Sequence, residues 1–468
     1  VDLTATRRAV ALIACIWVLT RLLGAWLADH PDLYEGITGD VAYYLFWAEG
    51  ITARGLAPYE QIRIEYPPGS LPFITAPMLW VARGGSYRTA FVALMVAVDG
   101  FGLAGLLSLA RRWGSLLGPV LWVVALPLLG PLCYARLDLV PAVATIWAIE
   151  RASAGAWTSS GAWLGFGAIV KLYPALLVPG AMLASRRPLR LLGAVVLVAG
   201  IALAPLAGSY PELVASVLGY HAQRGIQIES TWGLLLMVAS RFGYAVALDY
   251  NFGAFHVTAG IAPLLKPLAL CLSIAGLAVG TWRLRRTLTP GDVATAATGL
   301  FGTLALILAV GSVLSPQFLM WVIALGAAAA CALRPEVRRA VIPLLPAAFL
   351  SQLIYPFDYS RLLEAGAYPL FLLAVRNVLI AAAGAAALAA LARPSRVSFE
   401  VGPAPTPALS GGPGRRSSVT RSPPPAGAET RWRSGPPGGG AAPTSGRSET
   451  SATGGSRRSP RIPRRRSR

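Results

Sequence analysis

Two groups of polar residues in an otherwise apolar chain have the types and spacing to do chemistry. The first is acidic: Asp29, Asp32, Glu35, Asp40, Glu49, Glu60 and Glu65 place seven of the chain's 21 acids within one short stretch, opposed there only by Arg54 and Arg63. The second is cationic and dispersed: Arg136 beside Asp138, Lys171 in Val-Lys-Leu-Tyr-Pro, and the cluster His221-Ala-Gln-Arg-Gly-Ile-Gln-Ile-Glu-Ser-Thr-Trp232 with Arg224. A held carboxylate can take a proton from a hydroxyl. Cations aimed at one place can stabilise a departing anion, and a guanidinium can grip a phosphate through two parallel hydrogen bonds.

Each of these residues also has a plainer reading. Asp40 opens Gly39-Asp-Val-Ala-Tyr-Tyr-Leu-Phe-Trp-Ala-Glu-Gly50, where Val41, Tyr44, Leu45 and Ala48 share one helical face. Asp is a preferred helix cap, so Asp40 can simply cap this helix. The helix itself is expected to lie at the membrane interface with Tyr43, Tyr44 and Trp47 at headgroup depth. Glu65-Tyr66-Pro-Pro-Gly69 reads as a rigid corner, with Glu65 and Tyr66 as substrate contacts if the corner borders a site. Charges in a membrane are costly unless paired or facing a wet cavity. Arg136 is expected to pair with Asp138, and Asp99 is a further buried charge. Lys171 has no adjacent acid and is expected to meet an anionic ligand. For His221 and Arg224 the plainer reading is a solvated loop. Ser315-Pro-Gln317 and Asp358 fall at later span ends on the same side.

The elements that must hold these residues follow from composition. Of 468 residues, 55% are hydrophobic and 13% charged, yet the net charge is +20. A soluble domain carries about 25% charged residues, so soluble enzymes and nucleic-acid-binding domains are excluded. The charge divides unevenly: residues 401–468 hold 13 Arg and 2 Glu. Residues 1–394 are expected to form an all-α polytopic membrane domain of about twelve transmembrane helices, including apolar stretches at 70–83 and 160–184, the latter equally readable as two short helices meeting at Lys171. Residues 395–468, rich in Arg, Pro, Gly and Ser, read as a disordered cytoplasmic tail. Arginines beside the spans place both termini in the cytoplasm and the loops 29–69 and 209–259 outside. Arg111 and Arg112 break that alternation if 70–83 is a full span. Cys15, Cys133, Cys271 and Cys331 lack paired spacing, which argues against a disulfide framework or a zinc site.

An external carboxylate, a few cations and a lipid-accessible cavity fit one reaction well. A sugar leaving a lipid phosphate needs no general acid, because the phosphate departs as a stable anion; the acceptor hydroxyl needs a base. A transporter or lipid flippase would instead use Asp99, Arg136, Asp138 and Lys171 as pathway residues, and a scaffold would act through the basic tail.

Gly39-Asp40-Val-Ala-Tyr-Tyr, Glu65-Tyr-Pro-Pro-Gly, Arg136-Leu-Asp138-Leu, Lys171-Leu-Tyr-Pro174, His221 to Gly233 and Ser315-Pro-Gln317 together resemble glycosyltransferase family 87 of the GT-C superfamily, across residues 9–392. The resemblance implies a GT-C fold, a polyprenyl-phosphate-mannose donor and an α-mannosidic product formed with inversion. It implies a glycolipid or glycan acceptor in the cell envelope and a multi-pass plasma-membrane location among membrane lipids, with no nucleic-acid partner. It makes Asp40 the base, with Asp29 and Asp32 as alternatives in the same loop. Lys171 and Arg224 would hold the donor phosphate, and Glu65, Tyr66, His221 and Gln317 would touch sugar or acceptor. Gly-Asp-Val has one acid where some related enzymes show two, so neither a metal nor another cofactor is expected.

Overall fold

The computed structural model describes residues 3–30, 32 and 39–392; Glu35 and the expected tail at 395–468 lie outside them. Among the described residues, seven helices are long and apolar enough to cross a membrane: Thr6–Asp29, Tyr87–Trp113, Pro188–Gln223, Ala262–Thr287, Val293–Val310, Pro335–Phe357 and Ala367–Ala390. The shorter helices Leu117–Leu128, Leu139–Ser153, Trp157–Val170 and Leu319–Ala330 pack among them. The chain is an all-α polytopic membrane protein with one small sheet. Helix Trp157–Val170 packs closely on helix Pro188–Leu203 through Gly161 and Gly165, one turn apart. A Cβ at Gly161 would lie 2.1 Å from the Leu191 carbonyl oxygen, so only glycine allows this backbone approach.

Prolines set the two interruptions that matter for the site. The stretch expected as a span at 70–83 is instead a chain of short turns, Pro68–Ser70, Leu71–Thr75 and Met78–Val81, because Pro72 and Pro77 lack the N–H groups a continuous helix needs. The stretch 160–184 splits at Lys171, whose backbone is extended at φ −155° and ψ 134°. Pro174 explains the break, since it can give no hydrogen bond to the Val170 carbonyl one turn earlier. Lys171 thus sits where a helix ends inside the domain.

The broken segment also accounts for the arginines at 111 and 112. Helices Thr6–Asp29 and Tyr87–Trp113 are neighbours whose ends meet where the Thr89 hydroxyl donates to the Asp29 carboxylate at 3.1 Å. The far end of the second helix carries Arg111 and Arg112. Arg112 and Arg151 both pair there with the buried Glu150, Arg112 at 3.5 Å. With no crossing between the two helices, this pair falls at the same end of the bundle as the start of the first helix.

The stretch 209–259, expected as an external loop, is largely ordered structure. Helical turns continue to Gln223, and three antiparallel strands follow in the order β1 (Ile226–Gln227), β3 (Ala254–Thr258), β2 (Ala247–Asn251). A two-residue turn joins β2 to β3, with Phe252 and Gly253 both at positive φ (50° and 67°), the backbone that matches strand twist in a tight hairpin. Ser230 caps helix Thr231–Ser240 by accepting from the Gly233 N–H at 3.0 Å.

Candidate active site

The interruptions converge on a cavity of about 730 Å³. Its polar wall is built by the start of helix Gly39–Thr52, the Glu65-Tyr66-Pro67 corner, Arg136 just before helix Leu139–Ser153, the break at Lys171, the segment from Tyr220 to Glu229, and Ser315 to Gln317. Asp40, Glu65, Tyr66, Lys171, His221, Arg224 and Gln317 all line it. The same cavity is also lined by the aliphatic residues Leu172, Leu176, Leu270, Ile307 and Leu308.

Asp40 does not cap its helix. It lies inside the first turn of Gly39–Thr52, and its Oδ2 is 3.0 Å from Arg136 Nε, with the guanidinium side chain 7% exposed and the carboxylate 26%. Asp138, fully buried, takes both hydrogen bonds of Lys171 Nζ, at 2.7 and 2.8 Å. This corrects two expectations. Arg136 pairs with Asp40, and Asp138 with Lys171, which therefore has an acid of its own. The pairing follows from the Lys171 break, which turns the ammonium towards the N-terminus of helix Leu139–Ser153. Lys171 Nζ also lies 5.1 Å from the ring centre of Tyr66, 5.5 Å from Phe318 and 5.4 Å from Trp321, an aromatic box suited to a cation.

The helix at 39–52 is present, but its aromatic residues divide differently from the expectation. Tyr43 and Phe46 are exposed, whereas Tyr44 and Trp47 are buried against Tyr66, and Tyr44 also against Phe91. The Tyr44 and Tyr66 hydroxyls share a hydrogen bond at 3.1 Å, and the Tyr59 hydroxyl donates to the Tyr66 carbonyl at 2.9 Å. The Pro-Pro corner is thus locked by buried phenols, which fixes where Glu65 points. Burial pushes the Glu65 carboxyl up from its ordinary value, opposed by the Arg224 and Lys171 charges; the nearby Tyr220 hydroxyl donates to the Phe252 carbonyl at 2.6 Å.

Arg224 is half-buried and its guanidinium stands 5.7 Å from the Tyr220 ring centre, with Nε buried and making no hydrogen bond. It is the cavity cation without a carboxylate salt bridge among the described residues. His221 is exposed at the rim, its ring edge-on to Tyr220. Gln317 Oε1 accepts from the Ser315 hydroxyl at 2.6 Å. Among the described carboxylates, Asp40, Glu65 and Glu229 line the cavity; Asp29, Asp32 and Asp358 do not. Asp358 instead pairs with Arg361 at 3.0 Å. The segment around Asp358 contributes Tyr355 and Tyr359 to the wall.

Glu229 is the lining residue that sequence reasoning quoted without singling out. It is 2% exposed, with its backbone carbonyl accepting from the buried Arg376 at 2.8 Å. Burial raises its carboxyl to about 7, against the nearby Arg376 charge and a hydrogen bond from Tyr359. Arg376 comes from the last helix and Tyr359 from the short helix Tyr359–Leu363 before it, which no local pattern could announce. Among the described residues no three His, Cys, Asp or Glu side chains are grouped to hold a metal ion.

No curated protein matches the chain. The profile of glycosyltransferase family 87 matches residues 65–316, which takes in Glu65, Tyr66, Arg136, Lys171, His221 and Arg224, with Asp40 and Gln317 outside the matched stretch. That match covers more than half of the chain, and the membrane helices and the cavity agree with it. The chain belongs to glycosyltransferase family 87 and is a membrane glycosyltransferase.

Proposed function

We propose that the protein transfers a sugar, mannose by its family resemblance, from a polyprenyl-phosphate donor to a hydroxyl of a cell-envelope glycolipid or glycan, with inversion, on the extracytoplasmic side of the plasma membrane. The observation that carries this reading is the mixed lining of the cavity. It gathers carboxylates and cations together with leucine and isoleucine side chains that suit a prenyl chain. A donor with a charged phosphate between a sugar and a lipid has the same mixed character.

In this scheme Asp40 accepts the proton of the acceptor hydroxyl as its oxygen attacks the anomeric carbon, and the bond to the phosphate oxygen breaks on the opposite face. Arg136 takes one carboxylate oxygen of Asp40 and so fixes its direction. Arg224 holds the departing phosphate, which leaves as an anion and needs no proton. Lys171 adds positive charge from its aromatic box while keeping Asp138 neutralised. Glu65, Tyr66, His221 and Gln317 contact the sugar or the acceptor. The scheme asks for no metal, since the cations carry the charge that a metal would. The Arg-rich ends at Arg111, Arg112 and Arg151 face the cytoplasm by the positive-inside rule, with both termini on that side. Asp99, a candidate pathway residue for a transporter, supports transfer instead, being closed off in an ion pair with Arg21 in which both side chains are at most 1% exposed.

The test is incubation of purified protein with labelled polyprenyl-phosphate-mannose and a cell-envelope lipid extract. A labelled glycolipid is expected; failure with every lipid-linked sugar tried, combined with movement of such lipids across vesicles, would favour a transporter.

A further inference from the structure

A second cavity of about 600 Å³ adjoins the first. It shares Tyr43, Glu65, Tyr220 and Phe252 with the main cavity, and its other lining residues are Ala42, Phe46, Trp47, Arg63 and Ser216. The two chambers differ in chemistry. The first holds Arg136, Lys171 and Arg224 with leucine and isoleucine side chains. Both walls carry aromatic rings, but the second has no leucine or isoleucine and adds Arg63 and Ser216 to the shared Glu65. Its size lies within the ordinary range for ligand pockets, about 300–1,000 Å³.

From these two walls we infer that the second chamber is the acceptor site, that its occupant is the glycan headgroup of the acceptor, and that Glu65 binds the acceptor where the chambers meet. This rests on the reading of the main cavity as the donor site. A sugar ring presents apolar C–H faces and hydroxyl edges, which match the exposed faces of Tyr43 and Phe46 and the polar groups of Arg63 and Glu65. A prenyl chain would find its match in the aliphatic residues of the first chamber. Glu65 is the one carboxylate common to both chambers. The Pro-Pro corner, locked by the Tyr59 hydroxyl on the Tyr66 carbonyl, holds it in place. Asp40 lines the first chamber only, so an acceptor reaching from the second chamber passes Glu65 before its hydroxyl meets the base. Glu65 is thus a positioning and recognition group, and Asp40 remains the proton acceptor.

The experiment fills one chamber at a time. Ala42 lines the second chamber and is exposed there; Leu176 is one of the aliphatic residues of the first. Ala42→Trp should leave binding of labelled polyprenyl-phosphate-mannose by detergent-solubilised protein within about twofold of wild type, and lower transfer to the envelope lipid extract by about tenfold or more, one tenfold step in affinity being about 1.4 kcal/mol. Leu176→Trp should instead abolish donor binding, and transfer with it. Arg63→Ala, an exposed change that should not disturb folding, should raise KM for the extract acceptor and leave KM for the donor unchanged. Normal transfer by both Ala42→Trp and Arg63→Ala, or loss of donor binding in either, would overturn the acceptor assignment. Absence of donor binding in the wild-type protein would instead overturn the donor reading beneath it.

Discussion

Arg136 Nε stands 3.0 Å from Asp40 Oδ2, joining the turn before helix Leu139–Ser153 to the first turn of helix Gly39–Thr52. Tyr355 shares the same guanidinium through a hydrogen bond. A planar fork can serve both partners at once and a lysine cannot. Arg136→Lys should therefore keep the charge and lose the direction of the carboxylate. We expect kcat to fall by about 10²-fold, the scale of a misplacement of roughly 1 Å, with KM for the donor unchanged. Steady-state kinetics at saturating acceptor would show it. An equal rise in donor KM would make Arg136 a binding group instead.

Lys171 and Arg224 should separate on mutation. Lys171→Met strands the fully buried Asp138, which should cost about 3–5 kcal/mol of stability. The double change Lys171→Met with Asp138→Leu should restore most of the melting temperature but not the donor affinity. Arg224→Met has no buried partner charge to strand, so it should leave melting within about 0.5 kcal/mol of wild type and weaken donor binding tenfold or more. Paired melting and binding assays distinguish the two. Unchanged donor affinity in Arg224→Met would remove it from the phosphate site.

Two buried groups near the sheet should give opposing pH dependences. His256 is 1% exposed, and burial, with the Arg224 charge, lowers it to about 4. Its imidazole is neutral in the folded protein, while the unfolded chain takes up a proton below about 6.5. Stability from this group is therefore complete above that value and is lost as pH falls towards 4. Glu229, raised to about 7, behaves in the opposite sense: its stability is complete below about 4.5 and is lost as pH rises through 7. Each shift corresponds to about 3 kcal/mol. Between pH 4.5 and 6.5 the two slopes oppose each other, on top of any contribution from His221. Relative to wild type, the melting temperature of Glu229→Gln should rise more steeply with pH over that window, and that of His256→Phe less steeply. A profile parallel to wild type in both variants would show that neither group titrates with folding.

Asp99 accepts from Arg21 Nε at 2.7 Å, from Trp122 Nε1 at 2.6 Å and from Tyr134 Oη at 3.0 Å, in a network that does not line the cavity. Asp99→Ala should destabilise by about 3–5 kcal/mol, because it leaves the Arg21 guanidinium buried without its counter-charge. Arg21→Met with Asp99→Leu should recover part of this loss. Donor KM should be unchanged in whatever folds; a selective change in KM would connect the network to the site.

Local chemistry made the elements legible in the sequence. The Pro-Pro-Gly corner, the helix beginning at Asp40 and the break before Pro174 are all dictated by residues within one turn of them. The polar residues chosen on those grounds lie on one cavity. What could not be read is partnership. Asp138 and Lys171 are 33 residues apart, and nothing near Lys171 in the chain reveals the acid that meets it. Arg136 stands two residues from Asp138, yet the turn before helix Leu139–Ser153 sends its side chain to Asp40. Residues 70–83 are apolar enough to suggest a span, and only the geometry of Pro72 and Pro77 settles that they do not form one. The segment at 209–259 read as a loop because its strands are too short and too irregular in polarity to show alternation.

Asp40 is assigned as the group that takes the acceptor proton during transfer from a lipid phosphate. Asp40→Asn keeps the size and the polar contact to Arg136 but removes the basic oxygen. A single-turnover assay with labelled polyprenyl-phosphate-mannose and the envelope lipid extract tests it directly. Wild-type donor binding and wild-type melting are expected, with transfer reduced by about 10³-fold, within the usual range for loss of a general base. Transfer at a wild-type rate by folded Asp40→Asn protein would contradict it.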